Sequence, residues 1–101
     1  MHRPFEYHFE WDPGKARKNL RKHGIAFERA ATVFADPRAL SQSDDEHGRY
    51  EDRWVTLGFD RNGILLVVCH TYRREKMESA HIRVISARKA SRREIQRYEE
   101  L

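Results

Sequence analysis

Ile64-Leu65-Leu66-Val67-Val68-Cys69-His70-Thr71-Tyr72 is the stretch on which the fold depends, because its apolar residues follow one another without interruption up to Cys69. Such a run predicts a strand that is buried on both faces and lies at the centre of a sheet. Residues 53–59 before it alternate, and the turn signal Asp60-Arg61-Asn62-Gly63 predicts that the two segments form a hairpin. Residues 81–86 predict a further strand with Ile82 and Val84 on one face.

The N-terminal part of the chain predicts one strand and a helix. Residues 5–11 place an aromatic side chain at every odd position, which is typical of a half-buried strand. Asp12 and Pro13 then predict the start of a helix that ends at His23, followed by Gly24 as its left-handed stop. We expect its inward stripe and the residues after it to bury Ala16, Leu20 and Ile25, and its other face to carry Lys15, Asn19, Lys22 and His23.

A second helix and a short strand come next. The spacing of Phe27, Ala30, Ala31 and Phe34 predicts a one-sided helix, which ends at Asp36-Pro37 because a residue before proline is pushed out of the helical region. Residues 39–43 predict a short strand, and the polar residues 44–52 predict a loop.

The C-terminal part predicts a charged connection over residues 73–79 and a last helix that begins at Ser91 and ends near residue 100. Ser91 and Glu94 have the spacing of a capping box. The apolar stripe of this helix consists only of Ile95, Tyr98 and Leu101, so we expect it to pack weakly on its own domain or to need a partner.

These elements together predict the order β-α-α-β-β-β-β-α in a single domain over residues 1–101. A small two-layer α+β fold satisfies this order, with an antiparallel sheet and the helices packed on one face.

Composition excludes several classes of protein. The longest uncharged aliphatic run is six residues, Ile64 to Cys69, whereas a membrane span needs about 20. The N-terminus has no apolar segment after its basic residue, and Cys69 is the only cysteine, so we expect neither a signal peptide nor a disulfide, and we expect a cytoplasmic protein. Paired cysteines, a His-Glu-x-x-His motif and glycine-rich phosphate loops are missing from the sequence, which predicts neither a metal site nor a cofactor.

The cationic residues are the remaining candidates for function. Twenty Lys and Arg against 16 Asp and Glu give a net charge of +4. Basic residues concentrate on the first helix and between Arg83 and Arg97, where they would attract a phosphate backbone if they shared one side of the fold. The alternative is that both runs are solvated faces that keep the protein soluble.

Single residues leave similar alternatives open. Arg53 and Arg83 lie in predicted strands, where a guanidinium is suited to a bidentate phosphate contact or to a cross-strand ion pair. His23 is a candidate acid–base group or a C-terminal charge that complements the helix dipole. For His70, on the central strand, a satisfied buried histidine is the favoured interpretation over a catalytic one.

Several motifs resemble those of the BrnT-like toxin family. The sequence carries FEWDPGK at 9–15, NLRKHGIAFE at 19–28, VFADP at 33–37, EDRWVTLG at 51–58 and RVISARKA at 83–90. The closing residues 94–99, which include Tyr98, also match the family. The resemblance covers roughly residues 9–100, in order and with similar spacing.

This resemblance implies a ribonuclease toxin of a type II toxin–antitoxin pair with a RelE-like fold. Such a toxin is expected to inhibit translation and growth and to be neutralised by an antitoxin with a ribbon-helix-helix DNA-binding half. The complex, expected as a heterotetramer of two toxins and two antitoxins, binds operator DNA only through the antitoxin and represses its own operon.

The same resemblance implies roles for individual residues in metal-independent RNA cleavage by 2′-hydroxyl attack. His23 is assigned to acid–base chemistry, Arg53 and Arg83 to transition-state charge, and Glu51 is a weaker candidate base. The residues expected to bind RNA are Lys15, Lys22, Arg88, Lys89 and Arg92. The alternatives from other classes are a non-catalytic nucleic-acid-binding module and a plain interaction domain.

Overall fold

The structure, a computed structural model, describes residues 4–44 and 52–100. The strands are β1 (Glu6–Glu10), β2 (Leu40–Ser43), β3 (Arg53–Phe59), β4 (Leu65–Thr71), β5 (Arg73–Lys76) and β6 (Ser79–Lys89). The helices are α1 (Pro13–His23), α2 (Phe27–Ala31) and α3 (Arg92–Glu99), with a 3-10 turn over Thr32–Ala35 after α2. The mixed α+β class and the predicted order are confirmed, with one strand more than expected.

The strands form one sheet in the order β1-β6-β4-β3-β2, and β5 also pairs with β6. The prediction of an antiparallel sheet is wrong at one edge, because β1 runs parallel to β6. The charged connection predicted at 73–79 is also corrected, since β5 extends the line of β4 and pairs with β6. Hydrophobic patterns indicate which face of a strand is buried, but they do not determine the direction of pairing between the first and last strands.

The central strand β4 has neighbours on both sides, as its apolar run predicts, and supplies both cores of the protein. Leu66 and Val68 pack with Ile82 and Val84 of β6 under the helices α1 and α2. We call this side of the sheet the α1–α2 face. The alternate residues of β4 point to the other side, which we call the α3 face.

The last helix, α3, lies on the opposite side of the sheet from α1 and α2, which corrects the prediction that all helices share one face. Tyr98 is buried with Leu57, Leu65 and Val67 in a second core, and its hydroxyl donates to Asp36 Oδ2 at 2.7 Å. The C-terminal stripe is therefore partly used within the domain, although Ile95 remains 38% exposed. Leu101 lies outside the described residues.

Helix α1 begins and ends where the sequence predicts. Asp12 accepts a hydrogen bond from the Lys15 N–H, and Gly24 adopts a left-handed φ of 71°. The predicted faces of the helix are confirmed for Ala16 and Ile25, which belong to the core, but they are wrong for Leu20, which is 52% exposed, and for Asn19, which is buried. The amide group of Asn19 donates to the carbonyl oxygens of Ile25 and Ala87 and accepts from the Ala87 N–H.

The Asn19 contacts explain how α1 is held. The pairing of β1 with β6 stops at Arg83, and beyond it no strand of the described residues pairs with this edge of β6. Asn19 satisfies the N–H and C=O of Ala87 at this edge in place of a strand.

None of the helices within residues 4–44 and 52–100 is long and apolar enough to cross a membrane.

Candidate active site

Arg53 and Arg83 lie in one row across the α3 face of the sheet. Arg53 on β3 pairs with Thr71 on β4, and the Arg83 N–H on β6 donates to the Thr71 hydroxyl at 3.2 Å. Since neighbouring strands are about 4.8 Å apart, the two arginines start about 10 Å apart on a rigid sheet. The residue that follows each arginine in sequence, Trp54 or Val84, belongs to the α1–α2 face. Both of these residues pair with His70, which lies between them on β4.

A shallow concavity of about 400 Å³ lies at the Thr71–Arg83 end of this row. The sheet supplies its floor: β1 ends here at Glu10, opposite Arg83, and Tyr72 separates β4 from β5. The helix α3 leaves this half of the face uncovered, since its core contacts are to Leu57, Leu65 and Val67. The concavity is lined by Glu10, Asp52, Thr71, Tyr72, Arg73, His81 and Arg83.

The concavity contains a histidine–carboxylate pair. His81 Nε2 lies 3.0 Å from Glu10 Oε1, and His81 is two residues before Arg83 on the same face of β6. The hydrogen bond from His81, together with the charges of Arg83 and Arg73, holds the pKa of Glu10 below its ordinary value. Glu10 is therefore ionised at neutral pH and able to orient and stabilise a protonated imidazole.

His23 lies away from the two arginines. Helix α1 starts just after β1, level with Arg83, and runs along β6 so that Asn19 reaches Ala87. The rise from Asp12 to His23 is about 16 Å, and His23 ends the helix one turn beyond Asn19. The structure therefore does not bring His23 together with Arg53 and Arg83, contrary to the sequence-based expectation.

Four of the residues predicted to bind RNA, Lys22, Arg88, Lys89 and Arg92, lie towards the other end of β6, whereas Lys15 is in the first turn of α1, near the Arg83 end. Lys89 is six residues beyond Arg83, about 20 Å along the strand. Lys15 and Lys22 are exposed on α1, and Arg92 opens α3. The cationic residues thus form two regions, one around Arg53 and Arg83 and one around the end of β6.

Arg88 is engaged within the domain. Its guanidinium forms two hydrogen bonds with the Glu94 carboxylate, at 2.8 and 3.0 Å. Glu94 also accepts from the Ser91 N–H and closes the capping box of α3. These contacts, with the one to Arg88 the largest, lower the pKa of Glu94 to about 2. The ion pair anchors the start of α3 to β6.

Two further expectations concern acidic residues and His70. Glu51 and most of the loop predicted at 44–52 fall outside the described residues, and within the described part no group of three potential metal-ligating side chains occurs.

His70 is 2% exposed, and both ring nitrogens have hydrogen-bond partners, Thr56 Oγ1 and the Thr71 carbonyl oxygen. Burial lowers its pKa. The interpretation as a satisfied buried histidine is confirmed.

His81, Glu10 and Arg73 are not among the site residues that the sequence predicts. The alternation of β6 already placed His81 on the same face as Arg83, and this was the available signal. Glu10 and Arg73 could not be found in this way, because they reach the site through the pairing of β1 and β5 with β6.

Comparisons with known proteins agree with this architecture. The sequence profile of the family described as ribonuclease toxin, BrnT, of type II toxin–antitoxin system matches residues 11–94. The crystal structure of the Brucella abortus ribonuclease toxin BrnT superposes with a TM-score of 0.57 at 24% sequence identity, covering 85% of this chain and 97% of that one. Curated proteins give no match. Because the family profile covers well over half of the sequence, the chain belongs to the BrnT family of ribonuclease toxins of type II toxin–antitoxin systems.

Proposed function

We propose that this chain is an endoribonuclease that cleaves RNA in the concavity of the α3 face, by attack of a 2′-hydroxyl on the adjacent phosphodiester. The family supports action on RNA. The observation that carries the location is the row of Arg53, Thr71 and Arg83 with the His81–Glu10 pair beside it.

The arginines supply positive charge where negative charge develops. The attack converts the phosphodiester monoanion into a phosphorane that carries more negative charge, and fixed guanidinium groups stabilise that state more than the ground state. Arg83 lines the concavity, and Arg53 starts from the same row of the sheet. Arg73 adds a third cation at the rim. Arginine suits this task because its planar fork can hold two phosphate oxygens at once.

His81 is the group that we assign to proton transfer. Its neutral imidazole accepts the proton of the 2′-hydroxyl while the 2′-oxygen bonds to phosphorus. Breakage of the bond between phosphorus and the 5′-oxygen then lets the imidazolium return the proton to the leaving oxygen. The products are a 2′,3′-cyclic phosphate and a 5′-hydroxyl, and the reaction consumes no further reactant. Glu10 holds the imidazolium between the two transfers.

A comparison of two histidine variants tests the location of the site. His81→Ala should lower the rate of RNA cleavage by the purified protein by about 10²–10⁴-fold, the range for loss of a general acid–base group. His23→Ala should leave the rate within a few-fold of wild type, because His23 lies on α1 away from the arginines. Loss of activity in His23→Ala with retention in His81→Ala would return the acid–base role to His23 and refute this site.

The arginines and the products provide an independent test. Arg83→Gln and Arg53→Gln should each lower the rate by about 10²–10³-fold, and Arg61→Gln, an exposed arginine in the β3–β4 turn, is the matched control. Cleaved ends should carry 2′,3′-cyclic phosphate, and a chelator should leave the rate unchanged. A protein that binds RNA with a steep salt dependence but never cuts it would instead be a non-catalytic nucleic-acid-binding module.

The antitoxin belongs to the same proposal. A type II system implies a protein antitoxin, and we expect its DNA-binding half to be a ribbon-helix-helix module. Co-expression should yield a complex with the mass of two toxins and two antitoxins, located in the cytoplasm. That complex should bind operator DNA and the toxin alone should not. A complex of other stoichiometry, or operator binding by the toxin alone, would contradict this part.

A further inference from the structure

A second cavity lies on the α1–α2 face, beyond the part that α1 and α2 cover. It measures about 150 Å³. Most of its wall is aromatic, unlike the charged concavity on the other face. The lining residues are Tyr7, Phe34, Ser41, Trp54, His70 and Tyr72.

The rings of this cavity form three contacting pairs. Tyr7 and Phe34 have ring centroids 5.4 Å apart, and Trp54 and Tyr72 have centroids 6.4 Å apart. Phe34 also meets the His70 ring edge-on at 4.8 Å. Since Tyr7 is 36% exposed, the cavity is open to solvent at that side. Flat, partly exposed aromatic walls of this kind suit a planar ligand that stacks.

The polar atoms of the cavity form a hydrogen-bond chain whose direction follows from chemistry. The carbonyl oxygen of Thr71 can only accept, so His70 Nδ1 carries the proton and donates to it. In the neutral ring Nε2 then accepts, which makes the Thr56 hydroxyl its donor at 2.6 Å. The Ser41 hydroxyl must in turn donate to Thr56 Oγ1, at 2.8 Å.

This chain leaves Ser41 Oγ with acceptor capacity only. Ser41 lines the cavity and is exposed. A ligand that meets it must therefore present a hydrogen-bond donor, as the N–H groups on the edges of nucleobases do.

The two cavities meet at one residue. Tyr72 lines both the aromatic cavity and the charged concavity, at the point where β4 ends and β5 begins. A nucleotide chain whose phosphate lies by Arg83 thus has a neighbouring stacking site, which lies past Tyr72 at the end of β4.

We propose that the aromatic cavity binds one unstacked nucleobase of single-stranded RNA, next to the phosphate that is cleaved. This inference rests on the proposed function and adds the way in which the substrate is held. An apolar side chain of a protein partner fits the observations less well, because it explains neither the acceptor at Ser41 nor the adjoining arginines.

Binding of an uncleavable probe tests the inference separately from catalysis. The probe is a trinucleotide of 2′-O-methyl RNA, and its partner is the same backbone without bases, which carries the same charge. The full chain with Trp11→Phe leaves Trp54 as its tryptophan. We expect the probe to quench Trp54 emission and to bind at least fivefold more tightly than the abasic backbone, since one base–aromatic stack is worth about 1–3 kcal/mol.

Substitutions at Trp54 and Ser41 identify the cavity. In the full chain, Trp54→Leu should weaken binding of the probe at least fivefold and leave the abasic backbone unaffected, while Trp54→Phe should restore most of the affinity. Ser41→Ala should weaken the probe alone, by a smaller factor. The matched control is Phe59→Leu, an exposed aromatic at the other end of β3. Unfolding curves should be recorded for each variant to check that it is folded.

Equal affinity for the two probes, or a loss in Phe59→Leu equal to that in Trp54→Leu, would overturn the inference. Loss of antitoxin binding in Trp54→Leu with unchanged affinity for the probe would overturn it in favour of a protein ligand. If RNA is cleaved while the cavity variants have no effect, this inference fails and the proposed function stands. If wild type neither binds nor cleaves RNA, the proposed function fails.

Discussion

The two faces of the sheet use neighbouring residues of the same strands for opposite purposes. On the α1–α2 face, Phe27, Leu66 and Val68 are fully buried in one core. On the α3 face, a smaller core around Tyr98 covers one half, and the other half carries Arg53, Arg83 and the His81–Glu10 pair. The contrast teaches that α3 is too short to cover the whole face: it stabilises one half of the sheet, and its core contacts do not extend to the half that carries the two arginines.

The largest expected effect tests whether the α1–α2 face dominates stability. Phe27→Ala should lower the free energy of unfolding by about 3–5 kcal/mol, because the side chain is fully buried and its removal leaves a cavity. Phe59→Ala on the α3 face should cost clearly less, since Phe59 is 41% exposed. Urea unfolding measures both, and equal losses would show that the two cores contribute alike.

The next effect concerns Asn19, a buried polar residue that holds α1 to the sheet. Asn19→Ala should lower the free energy of unfolding by about 1–3 kcal/mol, because Ile25 and Ala87 lose buried hydrogen-bond partners. Leu20→Asn, its neighbour on the exposed side, should change stability by less than about 0.5 kcal/mol. The reverse order would support the helix orientation predicted from the sequence.

A pH effect should come from the buried histidine of the α1–α2 face. Burial lowers the pKa of His70, so the unfolded chain binds a proton at a higher pH than the folded one. The free energy of unfolding should therefore fall as pH drops below about 6.5, by at most about 1.4 kcal/mol per pH unit. The hydrogen bond to Glu75 raises the pKa of His8 and acts in the opposite direction.

Unfolding curves at pH 7, 6 and 5 measure this effect. They are best recorded in His8→Gln, which removes the opposing contribution, with and without His70→Gln. The slope should flatten when His70 is replaced. A stability that rises on acidification in His8→Gln would contradict the assignment.

The smallest effect concerns the ion pair that anchors α3. Glu94→Gln should cost about 0.5–1 kcal/mol, because the pair with Arg88 is partly exposed and solvent screens it. The pKa of Glu94, lowered to about 2, implies that this contribution is present above about pH 4.5 and is lost as pH falls towards 2. High salt should reduce the difference between the variants, and a difference that salt leaves unchanged would show that charge is not its cause.

Local patterns determined most elements of this protein. The caps of α1 and α3, the central position of β4 and the β3–β4 hairpin follow from residues close together in sequence, such as Asp12 with Gly24 and Ser91 with Glu94. The extra strand β5 was not predicted, because its residues Arg73–Lys76 are charged and exposed, and only pairing with β6 makes them a strand. The candidate site was predictable in part, since Arg53 and Arg83 are both in strands but their shared row depends on Thr71 between them.

The sequence by itself determined the α+β class, the basic character and the family, because composition, periodicity and motifs are local properties of the chain. Only the tertiary structure decided that β1 runs parallel to β6, that Asn19 is buried in place of Leu20, and that α3 takes the other face. It also placed His81, and not His23, beside Arg83. The physical reason is that pairing between distant strands sets which side chains meet, and nothing in a short window of sequence encodes that register.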